Sequence, residues 1–159
     1  MNEFRIAAIA LDEAAMVART RAIEQERDIA VSDILDGNFF RLRGSEGGPY
    51  HLHLGARENR LLLEIRLPDG APDQPHGRLV LSLTPFHKVI KDYFLICDSY
   101  YKAIRTAAPA QVEALDMGRR ALHDEASTLL MKRLEGKIEV DFDTARRLFT
   151  LICVLHMKS

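Results

Sequence analysis

A change of periodicity at Thr84-Pro85 constrains this chain more than any other feature. Upstream of it, apolar residues mostly recur at every second position, the period of a strand with one buried face. Downstream they recur every three or four, the period of a helix with one buried stripe. This division predicts an α+β fold: an antiparallel sheet of about four to five strands in the N-terminal half, with one helix inserted, packed against three C-terminal helices. The 159 residues form one domain, 1–159, long enough to bury a core without disulfide or metal staples.

Residues 4–11 read as the first strand. A helix follows over 20–36, with Thr20 as a cap, with Ile23, Arg27, Val31, Ile34 and Leu35 near one face, and with Gly37 as its stop. Strands then run over 39–43, 50–56 and 60–67. The last two flank a turn at Glu58-Asn59 and so form a hairpin. Residues 68–77 hold three prolines and two glycines, a composition expected of a mobile loop. Leu79, Leu81 and Leu83 complete an apolar sheet face with Leu52, Leu54, Leu61, Leu63 and Ile65, to be covered by helices. Leu62 and Val80 fall on the opposite, outward face, where apolar side chains mark an interface.

Thr84 followed by Pro85 has the form of a helix start, an N-cap and then proline at the first position. The helix should run to about residue 107. Its stripe of Phe86, Val89, Ile90, Tyr93, Phe94, Cys97, Tyr100, Tyr101 and Ile104 predicts the central helix of the core. Pro109 ends it and opens a second helix to residue 135, with Gly136 beyond. Gly118, on or near the inward stripe, implies close packing of another backbone. Residues 138–142 form a short strand or the approach to the last helix, which Asp141 or Asp143 caps and which places Leu148, Phe149, Ile152 and Leu155 on one face.

Composition removes several function classes. A net charge of -1 is not that of a general polyanion binder, so nucleic acid is not an expected partner. Residues 1–83 carry 10 basic and 13 acidic side chains and residues 84–159 carry 12 and 10, which still permits a local anion site on the helices. Cys97 and Cys153 each lie in an apolar helical stretch and imply no disulfide framework, as in a reducing cytoplasm. The apolar run at 6–11 is cut off by Asp12-Glu13 and is not a signal peptide, and the run at 148–155 is too short for a membrane span. The expected location is the cytoplasm, without membrane attachment.

Three segments carry a likeness: LSLTPFHKVIKDYFLICDSYYKAIR at 81–105, DMGRR at 116–120 and GKIEVDFDTARRLFTLICVLH at 136–156. They resemble the uncharacterised protein family 0262 of alphaproteobacteria, as does, more loosely, the GGPY loop at 47–50 with its flanking strands. The resemblance labels the chain. It brings no activity, ligand or site residue with it.

Four constellations remain for chemistry. His87, the His123-Asp124 doublet and Asp141 or Asp143 resemble the ligand order of HD-type metal phosphohydrolases, in which imidazole and carboxylate hold a divalent metal that generates hydroxide. The sheet-rich first half is foreign to that all-helical fold. His51 and His53 point to one face of a strand and need a third ligand. The tandem pairs Arg119-Arg120, Lys132-Arg133 and Arg146-Arg147 could converge on an anion, with Asp116, Asp124 and Asp143 spaced to pair with them along the helices instead. Cys97 and Cys153, in apolar surroundings, read as structural thiols.

These observations predict a small cytoplasmic binding or protein-interaction module of unknown protein or small-molecule partner. It is expected to be homo-oligomeric through Leu62 and Val80 and to need no cofactor. The alternative is a metal-dependent phosphohydrolase using His87, His123, Asp124 and Asp141.

Overall fold

A computed structural model of the chain describes residues 3–12, 21–70 and 75–156, with side chains of 21–23 omitted. Four strands form one sheet in the order β1-β3-β4-β5: β1 (Ile6–Leu11), β3 (Tyr50–Arg57), β4 (Arg60–Arg66) and β5 (Gly77–Ser82). Among the described helices, α1 (Arg21–Asp36) precedes the hairpin and α2 (His87–Thr106), α3 (Pro109–Leu134) and α4 (Phe142–His156) follow it. The architecture is the α+β fold expected from the periodicities. The sheet itself is mixed, because β1 runs parallel to β3 while β3, β4 and β5 are antiparallel neighbours. A parallel pair requires a crossover, and α1 lies within that connection. The fifth strand expected for the sheet, β2 (Phe40–Leu42), leaves it to form a separate antiparallel ribbon with β6 (Ile138–Val140).

Alternation sets the two faces of the sheet. Leu52, Leu54, Leu61, Leu63, Ile65, Leu81 and Leu83 are all buried, as their period-two spacing predicts. The opposite face presents His51 and His53 beside Arg66 and Glu64, and then Leu62 beside Val80. The β3–β4 turn places Glu58 and Asn59 at φ 51° and 63°, the two positive values a type I′ hairpin turn needs.

The helical layer departs from the expectation in one respect. The aromatic stripe of α2 predicts the central helix, yet only Val89, Ile90 and Ala103 of α2 are buried. The centre is α4, where Leu148, Phe149 and every residue of 151–155 are buried. Residues 151–155 are apolar on every side, which suits a segment packed among α1, α3 and β3, while Asp143, Arg146, Arg147 and Thr150 give the rest of α4 one polar face. A one-sided stripe, however aromatic, belongs to an outer helix.

Local polar groups fix the joints. Thr84 begins a 3-10 turn, Thr84–Phe86, and does not cap α2, since Phe86 occupies that cap position and no side chain bonds there. The Thr84 hydroxyl instead accepts from Asn59 Nδ2 at 2.9 Å, and Asn59 O accepts from the Leu83 amide at 2.9 Å, so the hairpin turn is bound to the sheet–helix junction. Asp141 does cap α4, its Oδ1 accepting from the Thr144 amide at 3.0 Å. Gly136 follows α3 at φ +85°, a conformation glycine adopts without penalty. Gly118 faces a side chain and not another backbone: an added Cβ would lie 2.6 Å from Ile96 Cδ1. Thr20 and residues 71–74 of the proline-rich loop, both assigned roles from the sequence, lie outside the described residues.

Candidate anion-binding site

Helical spacing brings the arginine pairs together. Arg119, Arg120 and His123 share one face of α3, and Asp143, Arg146, Arg147 and Thr150 recur at three- and four-residue steps on α4. The two faces meet at a cleft of about 360 Å³, walled by Tyr93 of α2 and by Glu26, Ile29, Ala30 and Asp33 of α1. All four arginines of the expected anion site line this one cavity. The third tandem pair, Lys132-Arg133, does not reach it.

Each arginine also has an acidic neighbour, along the helix as spacing suggests for Arg119 and Arg120, but across to another helix for Arg146 and Arg147. Asp116 accepts from Arg119 Nη2 at 2.6 Å and from Arg120 Nη2. Those bonds, with Arg119 contributing most, hold the Asp116 carboxyl below the usual range. Arg146 Nε lies 3.2 Å from Asp124 Oδ1 but is not aligned to hydrogen-bond with it, and Arg147 Nε lies 3.9 Å from Asp33 Oδ2. A guanidinium has five N–H donors, so one carboxylate per arginine leaves capacity unused. Arg119 Nε and Arg146 Nε are buried without a hydrogen-bond partner. The Arg119 guanidinium is held over the Tyr100 ring, its Cζ 4.9 Å from the centroid.

His123 is the buried polar member of the cleft. Its ring stands edge-on to Tyr93 and Phe149, with centroids 5.4 and 5.2 Å away. Nε2 lies 2.9 Å from Thr150 Oγ1, and the Thr150 hydroxyl lies 3.3 Å from the Arg146 carbonyl. If that hydroxyl donates to the carbonyl, His123 Nε2–H donates to Thr150 and Nδ1 keeps a free lone pair. Nδ1 is buried and has no partner. Burial first, and the nearby Arg146 charge second, lower the His123 pKa to about 4, so the imidazole is neutral at pH 7. The arrangement offers buried cationic donors next to a neutral imidazole, in a site partly screened from water. A small oxyanion can accept from the guanidiniums, and one that carries an O–H can also donate to Nδ1.

The other expected sites stay apart. His87 opens α2, where its Nε2 lies 2.5 Å from Asn59 Oδ1, and its ring is 6.1 Å from that of His156. Asp124 is exposed beside Arg146, and Asp141 is committed to capping α4. Among the described residues no group of three His, Cys, Asp or Glu side chains is placed to hold a metal ion. The convergence that a phosphohydrolase reading of His87, His123, Asp124 and Asp141 requires is therefore not found; Asp143 lines the arginine cleft instead. His51 and His53 share an outward face with Glu64, which is occupied by Arg66 and lies 3.7 Å from Arg78. Cys153 is buried and Cys97 half-buried, and burial raises both thiol pKa values, as expected of structural cysteines.

Of two further cleft contributors, one has a weak sequence signal and the other has none. Thr150 is the one polar residue in the apolar run at 148–155, a position that calls for a buried partner. The α1 wall has no signal, since nothing in the primary structure says that α1 lies against α4.

The description "Uncharacterised protein family (UPF0262)" matches residues 3–158. The chain belongs to this family. Relatives named as UPF0262 proteins include one from Nitrobacter winogradskyi, 56% identical over 157 residues, covering 99% of this chain and 92% of the relative. The Phenylobacterium zucineum protein is also 56% identical, with 99% and 96% covered. The Azorhizobium caulinodans protein is 57% identical over 155 residues, with 97% and 94% covered. No solved structure matches. Among the described residues no helix is long and apolar enough to cross a membrane.

Proposed function

We propose that this chain is a cytoplasmic binding protein for a small anion, held in the cleft between α1, α3 and α4 without a cofactor. The observation that carries this reading is the convergence of Arg119, Arg120, Arg146 and Arg147 on one cavity in which Arg119 Nε and Arg146 Nε are buried without an aligned hydrogen-bond acceptor. Leaving such donors unpaired costs about 1–3 kcal/mol each, and a bound oxyanion recovers it through charge-assisted hydrogen bonds. Glu26, Asp33 and Asp143 also line the cleft, which favours a ligand with an anionic group at one end and a donor at the other over a bare polyanion.

A thermal-shift panel of inorganic phosphate, sulfate, citrate and sugar phosphates tests it. A ligand at about a hundredfold its Kd stabilises by about 2.7 kcal/mol, or roughly 5–11 °C for a chain of this size. Arg146→Gln with Arg147→Gln should abolish the shift. A panel with no shift, or one unchanged in the double variant, refutes the reading. Self-association through Leu62 and Val80 is a separate element. These two are register partners on the outward face, Val80 being 47% exposed, and light scattering that shows a strict monomer ends that element.

A further inference from the structure

A cavity of about 710 Å³ lies away from the arginine cleft, between the β2–β6 ribbon and the last turns of α3. Arg41, Arg43, Lys132 and Lys137 border it, against two acidic residues, Glu135 and Glu139. Unlike the cleft arginines, none of these four cations has a carboxylate within ion-pair distance among the described residues. Glu139 stands opposite Arg41 in the ribbon register and still forms no pair with it. Arg41 instead covers the Phe4 ring at 5.0 Å, and Arg43 Nη1 donates to the Gly136 carbonyl at 3.3 Å, so both guanidiniums are positioned by uncharged groups. Met131 and Val140 supply an apolar floor.

Spacing indicates the form of the occupant. Arg41 and Arg43 are two residues apart along an extended segment, about 6.6 Å at the usual strand rise. Lys137 lies opposite Arg43, whose amide donates to the Lys137 carbonyl at 2.9 Å. Acidic side chains at alternate positions of an extended peptide have the same repeat.

We propose that this groove receives an extended acidic segment of a partner protein, its alternate carboxylates meeting Arg41 and Arg43 and its intervening apolar side chains resting on Met131 and Val140. Lys132 and Lys137 add charge at its margins. The site is independent of the anion cleft and uses a different length of α3. Association is electrostatically steered and weakens with salt.

Fluorescence anisotropy on the full chain tests this, with a labelled peptide alternating glutamate and leucine and a lysine–leucine peptide as its counterpart. The acidic peptide should bind and the basic one should not. Lys132→Glu with Lys137→Glu reverses two exposed charges and should weaken binding about tenfold or more, while Lys91→Glu, on exposed α2 surface, should leave it unchanged. Circular dichroism of each variant confirms folding. No binding of the acidic peptide, equal binding of both peptides, or indifference to the double reversal overturns the proposal. Displacement by inorganic phosphate at the same concentration as peptide, or by a single-stranded oligonucleotide more effectively than by peptide, overturns it as well.

Discussion

Acidification should destabilise this protein through His123, over a definite window and by a definite amount. The imidazole is 9% exposed, enclosed by Tyr93 and Phe149, and flanked by Arg119 and Arg146 against the single carboxylate of Asp124. Its pKa falls from 6.5 to about 4 on folding. Between these values the unfolded chain binds a proton that the folded chain does not, so stability falls as pH falls from 6.5 and levels off below about 4. A tenfold difference in proton affinity between the folded and unfolded chains is worth about 1.4 kcal/mol, so the penalty approaches about 3 kcal/mol at the acid end. For a chain of this length that is a fall in Tm of roughly 6–12 °C.

His156, whose pKa is also lowered, by burial first and by His87 second, adds to the same trend. A second curve is therefore needed. His123→Gln removes the titration while keeping a group able to bond Thr150. The variant should be the less stable protein at pH 7, since the edge-on ring contacts are lost, and the gap should close by about 3 kcal/mol on going to pH 4. Chemical denaturation at half-unit pH steps measures both curves. If they run parallel from pH 7 to pH 4, His123 is not held neutral in the fold and the electrostatic account of the cleft is wrong.

Asn38 bonds Ile6 through its amide from both ends, Oδ1 accepting from the Ile6 amide at 2.7 Å and Nδ2 donating to the Ile6 carbonyl at 3.0 Å, and Nδ2 also donates to Ile34 O at 2.8 Å. Asn38→Ala should cost about 2–4 kcal/mol in urea unfolding, and a loss below about 1 kcal/mol would show that water replaces the bonds. Gly136→Ala, at φ +85°, should cost about 1–2 kcal/mol through backbone strain alone, since Arg43 Nη1 at 3.8 Å leaves room for the methyl. Asp141→Ala should lower stability by about 1 kcal/mol through loss of the α4 cap, and Asp141→Asn should retain most of it. Cys153 should resist a thiol reagent in the native state and react only on unfolding, with Cys97 slow; rapid native labelling of both would contradict their raised pKa values.

Most of the secondary structure is legible in the residues alone. The period-two leucines of β3, β4 and β5 point to the core as their spacing requires, because a strand has only two faces and one must be dry. Asp141 caps, Pro109 opens α3 and Gly136 closes it, since these residues act through their own backbone or the next turn. Thr84 shows the limit. Its sequence context is that of an N-cap, and its hydroxyl goes to Asn59, 25 positions away, because the hairpin turn folds back over the junction.

The candidate site divides the same way. The tandem arginines and the pairing of Arg119 and Arg120 with Asp116 are visible as local spacing, whereas Arg146 and Arg147 pair with Asp124 and Asp33 of other helices, which local spacing does not show. That both arginine pairs line one cleft depends on α3 packing against α4 and α1 lying against α4, contacts between segments far apart in the chain. The same packing brings no metal-binding group together from His87, Asp124 and Asp141, and it exchanged the central place in the core between α2 and α4. The sequence by itself determined the elements, their ends and their buried faces, because those follow from short-range sterics and periodicity. Only the tertiary structure decided which polar faces meet, because that depends on how whole helices pack, and no local pattern encodes it.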